Sequence, residues 1–142
     1  MKWTLRFGSL ALTLALLLPA RADTAMESSM KNLAGASKQL KADLDQTDDT
    51  KHAKDVDLKS VATIKAEALK SHDLVPKKAK DLPPDQQQAM VADFQKDMDA
   101  FAKDIDTLNG DIQTDKWEAA RADFKKLIDD EKAGHKAYRV KK

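Results

Sequence analysis

The chain has 142 residues, no cysteine, and 25 Lys and Arg against 24 Asp and Glu. A protein without cysteine has no disulfide to stabilise it, so packing or a bound ligand must do that work. The near-balanced charge excludes the concentrated positive field that a nucleic-acid partner requires.

Read from the start, Met1 to Arg6 carries two basic residues, Leu10 to Leu18 is mainly apolar, and Ala20-Arg21-Ala22 has the small-x-small form of a cleavage site. This pattern predicts a cleaved secretory signal peptide over residues 1–22 and export to the periplasm. The apolar run is shorter than the roughly 20 residues a membrane span needs. Three of the basic residues (Lys2, Arg6, Arg21) lie in this leader, so Asp23 to Lys142 keeps 22 basic residues against 24 acids. A chain of that size makes one domain around one core.

Four helices are expected and no strand. The first is predicted to open at Thr24, with Glu27 at capping-box spacing. Met26, Met30, Leu33, Ser37, Leu40 and Leu44 follow at alternating intervals of 4 and 3, a heptad seam. Polar residues from Gln46 to Thr50 close it. The second helix is expected over about 51–72, with Leu58, Val61, Ile64, Ala68 and Leu69 inward. Three prolines between Val75 and Pro84 mark the longest connection, and Pro83-Pro84 suits a helix entry. The third helix repeats Val91, Phe94, Met98, Phe101, Ile105, Leu108 and Ile112, with Asn109-Gly110 expected to break or fray its end. Thr114 is the expected cap of a fourth helix carrying Trp117, Ala120, Phe124, Leu127, Ile128, His135 and Tyr138 on one face. Helices of similar length with two short connections and one long one predict an all-α, up-down-up-down antiparallel four-helix bundle.

Enzyme signatures are lacking: no serine has a credible His and acid partner, and there is no phosphate-binding glycine loop. No catalytic residue is assigned. His52 and Asp55 have the helical spacing of a surface metal site, but a solvated polar face is the expected role. In the predicted topology the start of the first helix and the end of the fourth share one end. That end collects Met26, the proline-rich loop, Phe94, Met98, Ile128, His135 and Tyr138. Taken singly, Met26 and Met30 read as core filler and His135 as a partner of its helix dipole. Taken together, one thioether and one imidazole in an apolar, aromatic-lined pocket make a haem slot. Any such haem is held without covalent bonds, because the C-x-x-C-H attachment motif cannot be built.

The chain resembles the cytochrome b562 family of small periplasmic four-helix haem proteins. The resemblance is carried by Met26-Glu27-Ser28 with Asn32-Leu33, by Pro76-Lys77 and Asp93-Phe94, and by His135 with Tyr138-Arg139. It implies one non-covalent b-type haem (heme b) whose iron is held by Met26 and His135. Leu33, Phe94, Met98 and Ile128 would pack the porphyrin, Tyr138 would belong to the pocket, and Arg139 could pair a propionate. Glu131, four residues before His135, is the candidate acceptor for the second imidazole N–H. Electron transfer as a monomer, with a separate redox partner protein and no membrane span after cleavage, is the implied activity. Three positions depart from the family pattern: Gly134 and Met98 stand where aromatics are expected, and Glu131 where Arg can occur. Within the haem reading, His72 with His135 is the alternative ligand pair, and His72 is expected instead to serve its helix dipole. The rival function is a haem-free periplasmic helical module with a binding or chaperone-like role.

Overall fold

The computed structural model describes residues 18–140, with side chains from Thr24 onward. Most of the expected signal peptide lies outside the described residues. Among the described residues the chain is all-helical, with no strand: α1 (Leu18–Leu44), α2 (Lys54–His72), α3 (Pro84–Gln113) and α4 (Trp117–Tyr138). Their lengths are 27, 19, 30 and 22 residues, less even than the sequence suggests. None of these helices is long and apolar enough to cross a membrane.

α1 does not open at Thr24. It runs through that position from Leu18, because Ala20, Arg21, Ala22 and Ala25 are strong helix formers and nothing among them interrupts the ladder. It stops after Leu44, where Asp45 N–H donates to Lys41 O and Gln46 N–H to Asp43 O. Asp48 then caps a single 3₁₀ turn, Asp49–Lys51, by accepting from the Thr50 N–H at 3.1 Å. That turn occupies the residues expected to begin α2 and moves its start to Lys54.

The α2–α3 connection holds a 3₁₀ turn, Lys77–Asp81, between Pro76 and Leu82. Ala79 plugs it inward and is fully buried. α3 enters at Pro84, where proline's missing N–H costs nothing. Asn109-Gly110 neither breaks nor frays α3, which continues to Gln113. One glycine costs only about 1 kcal/mol in a helix, and Leu108 and Ile112 on either side are fully buried. Thr114 closes α3 rather than capping α4: its hydroxyl donates to Gly110 O at 2.8 Å. Asp115 then takes the left-handed conformation, φ 58°, that turns the chain. Lys116 precedes α4 without a side-chain cap.

The core is the set of heptad seams brought together. Leu33, Leu40 and Leu44 of α1, Val61, Ile64 and Ala68 of α2, Ile105, Leu108 and Ile112 of α3, and Trp117, Ala120, Phe124 and Leu127 of α4 form one buried cluster. Leu69 is not part of it. It is half exposed, because it stands 100° round the helix from Ala68 and outside the inward stripe. α2 also buries Asp57, Ser60, Glu67 and Ser71, so half its inward face is polar. Sequential helices pack along most of their length, whereas α1 and α4 meet over a much shorter seam.

Candidate functional site

Where α1 and α4 part, a cleft of about 1270 Å³ opens between Met26–Ala34 of α1, the middle of α3 and the end of α4. Small-ligand pockets run to roughly 300–1,000 Å³, so this one has room for a large ligand. Its walls follow from the same seams that build the core. Met26, Met30 and Leu33 come from α1, Phe94, Met98 and Phe101 from α3, and His135 and Tyr138 from α4, with Arg139 just beyond. Seven of the eight residues expected at a site therefore share one cavity.

Ile128 is the exception. It packs against the main core and is not in the cleft wall. Lys126 and Asp130, each two residues away, do line the cleft. His135, seven residues on and only about 20° round the helix from Ile128, does line the cleft, so Ile128 shares that face but sits deeper along α4, against the core. Met30 and Phe101 take up wall that the sequence assigned elsewhere, and both lie on seams already visible in the heptads.

His135 is the chemically distinctive group. Its ring is partly covered, its Nε2 is shut off from solvent, and that nitrogen has no hydrogen-bond partner. A buried imidazole nitrogen left this way forfeits a bond worth about 1–3 kcal/mol. Burial lowers the His135 pKa, the Arg139 charge lowers it further, and Glu131 pulls the other way without prevailing. The ring is therefore neutral at pH 7 and free to offer a lone pair. Glu131 does not serve the second N–H as expected. Its Oε1 stands 3.8 Å from Nε2 itself, too long for a hydrogen bond and on the unpartnered nitrogen rather than on Nδ1.

Around His135 the wall is ordered by a few specific contacts. Tyr138 donates to Asp97 Oδ2 at 2.6 Å and meets Phe94 edge-on, with centroids 5.1 Å apart. Burial and then the Asp97 carboxylate hold the Tyr138 phenol protonated. At Gly134 a Cβ would meet no atom within 4 Å, so the wall is thin where the family pattern has an aromatic. At the rim Lys77 pairs with Glu27 at 3.0 Å, and Lys126 bridges Asp104 and Asp130. His72 is elsewhere. Its Nδ1 lies 2.7 Å from Asp73 and its Nε2 3.5 Å from Asp99, and it is not in the cleft wall.

A second polar group sits at the far end of α1. His52 is not on a solvated face with Asp55: its side chain is 1% exposed. Its ring stacks on Trp117 at 4.0 Å, and Nδ1 lies 2.7 Å from Asp43 Oδ2. Arg121 reaches across from α4 to Leu44 O (3.0 Å), Gln46 O (2.9 Å), Asp49 and His52 Nε2 (3.2 Å). This closes the α1–α4 seam that is open at the other end. Asp57 completes the group, fully buried; no donor reaches either of its oxygens, and its own proton is what bridges to Asp43. Burial, then the neighbouring Asp43, pushes Asp57 up to about 7. Burial also raises Asp43, but hydrogen bonds with Asp57, His52 and the Ala53 N–H outweigh it and hold that carboxyl below its ordinary range.

In comparisons with known proteins, no family model matches the chain, and no curated protein matches it.

Proposed function

We propose that the protein is a periplasmic electron carrier that binds one non-covalent b-type haem in the cleft, with Met26 and His135 as axial ligands. The observation that carries this reading is the buried, unpartnered Nε2 of a neutral His135 that lines, together with Met26, a large and mainly apolar cleft. The donor set suits haem iron, and a methionine–histidine pair favours electron transfer and a raised potential. In this arrangement Glu131 must turn aside from Nε2. Phe94, Leu33 and Met98 exclude water from the faces, Tyr138 is fixed by Asp97, and Arg139 stands where it can meet an anionic edge group.

The reading includes an up-down-up-down antiparallel arrangement, and the cross-helix contacts support it. Between α1 and the α2 side, Asp43 pairs with His52, just ahead of α2, and Asn32 with Glu67. Lys54 pairs with Asp115 and Lys65 with Asp106 from α2 to α3. Between α3 and α4, Asp104 meets Lys126 and Asp97 meets Tyr138. In each pair of helices one number rises as the other falls.

The test is a haem titration followed by absorption. The wild type is expected to give a low-spin, six-coordinate ferrous spectrum. His135→Ala should weaken binding by at least about 100-fold, and Met26→Ala should retain haem in a high-spin state. If neither substitution changes the spectrum, the ligand assignment fails. A chain that takes up no haem at all would favour the haem-free binding module.

A further inference from the structure

We propose that Asp43, His52 and Asp57 form a second site, for a single divalent transition-metal ion of the zinc type, separate from the cleft. One donor atom from each of the three lies within 4.8 Å of the others. An acidic cluster alone would mean little. Here Asp57 has no exposed surface, and no donor reaches either of its oxygens. The charged form of a buried carboxyl without a donor is costly unless something positive meets it, and among the described residues no Lys or Arg pairs with it. The Arg121 guanidinium is spent on Leu44 O, Gln46 O, Asp49 and the far nitrogen of His52.

The chemistry of the donors selects the ion. An imidazole with two carboxylates suits zinc and its neighbours better than magnesium or calcium, which prefer oxygen-only ligands. Two acids from the cluster balance a divalent charge, while Asp49 balances Arg121. The geometry needs a small change. His52 Nδ1 and Asp43 Oδ2 are 2.7 Å apart, joined by a hydrogen bond, whereas ligand atoms of a tetrahedral zinc stand roughly 3.3 Å apart. Entry of the ion opens that pair, moves the ring proton off Nδ1, and releases to solvent the proton that Asp57 holds against Asp43, which leaves both acids charged. The ring stays neutral by carrying its proton on Nε2 instead, where Asp49 Oδ1, 3.5 Å away, is placed to accept it as the Arg121 contact relaxes. Three protein ligands leave a fourth position for water, and the Trp117 ring stacked on His52 fixes the imidazole plane.

Zinc chloride titrated into the purified full chain by calorimetry, with thermal unfolding in parallel, tests this. One ion per chain and a raised Tm are expected. Asp57→Asn keeps the side-chain shape and removes the charge. It should fold and lose at least about 100-fold in zinc affinity, more than the removal of a merely supporting partner causes. His135→Ala should bind zinc as the wild type does. Unchanged affinity in Asp57→Asn, or loss of binding in His135→Ala, would overturn the assignment. Zinc-edge X-ray absorption of the wild type guards against a variant that fails to fold. One imidazole among oxygen ligands supports the site, and two or more imidazoles refute it.

Discussion

The two ends of the α1–α4 seam are built from similar residue types and behave in opposite ways. At one end Arg121 ties α4 to the last carbonyls of α1, and His52 is stacked, hydrogen-bonded and nearly inaccessible. At the other, His135 shares a cleft wall with three methionines and three aromatic rings, its Nε2 has no partner, and the helices stand apart. A histidine's role is therefore set by what reaches it from other helices. Arg121 satisfies one imidazole and closes a seam, and among the described residues no such arm reaches His135 Nε2, which leaves the other imidazole available.

Truncating a ring at each end should expose the largest difference. Phe124 lies in the closed core, and Phe124→Ala is expected to cost about 3–5 kcal/mol by opening a new cavity. Phe94 is equally buried but borders the cleft. Phe94→Ala enlarges an existing space and should cost less, at the lower limit of that range or below it. Urea unfolding of both variants without added ligand decides the matter, and equal losses would mean that the cleft closes in solution.

The polar end should also answer to pH. Asp57 is raised from 3.8 to about 7, so between those values the folded chain holds a proton that the unfolded chain releases. Its contribution to stability is full below about pH 3.8 and is lost as pH rises through about 7. His135, lowered from 6.5, acts in the opposite sense near the top of that window. Comparing wild type with Asp57→Asn cancels the His135 effect. The stability of wild type relative to that variant should fall from pH 4 to pH 7, and a flat difference in Tm would show that Asp57 ionises normally.

Smaller effects are expected at the cleft end. Gly134→Ala should stabilise the ligand-free chain by about 1 kcal/mol, through helix propensity alone, since its Cβ meets nothing. A denaturant midpoint that moves down would mean that the face is covered. His72→Gln should cost no more than about 1 kcal/mol and leave haem affinity unchanged, because His72 is engaged with Asp73 outside the cleft. A changed midpoint potential in that variant would restore it as a ligand candidate.

The heptads made much of this legible. Leu40, Ile105, Leu108 and Ile112 are fully buried at the spacings that pointed to them, and Met26, Phe94, Met98 and His135 meet in one cleft because seams at fixed period keep their faces. The polar end was hidden for a physical reason. His52 owes its burial to Trp117 and Arg121, 65 and 69 residues further on, and local spacing carries no trace of such partners. Asp57 had a signal. Running the stripe of Val61, Ile64 and Ala68 back by four residues lands on it, but a carboxylate on an inward stripe reads as a surface residue. The left-handed Asp115 and the 3₁₀ turn at Asp49 were hidden too, since both are local choices among several that Asp and Thr permit.

The short α1–α4 seam also bears on the order of events in the protein's life. Leu40, Leu44, Ile112, Trp117 and Ala120 close around one another without any help from the cleft. The chain can then become native first and receive a ligand afterwards, through the side where two helices stand apart. Loading would follow ligand concentration in a simple second-order way, with no global unfolding step on the route, and the half of α1 nearest Met26 would be the first backbone to exchange its amide hydrogens.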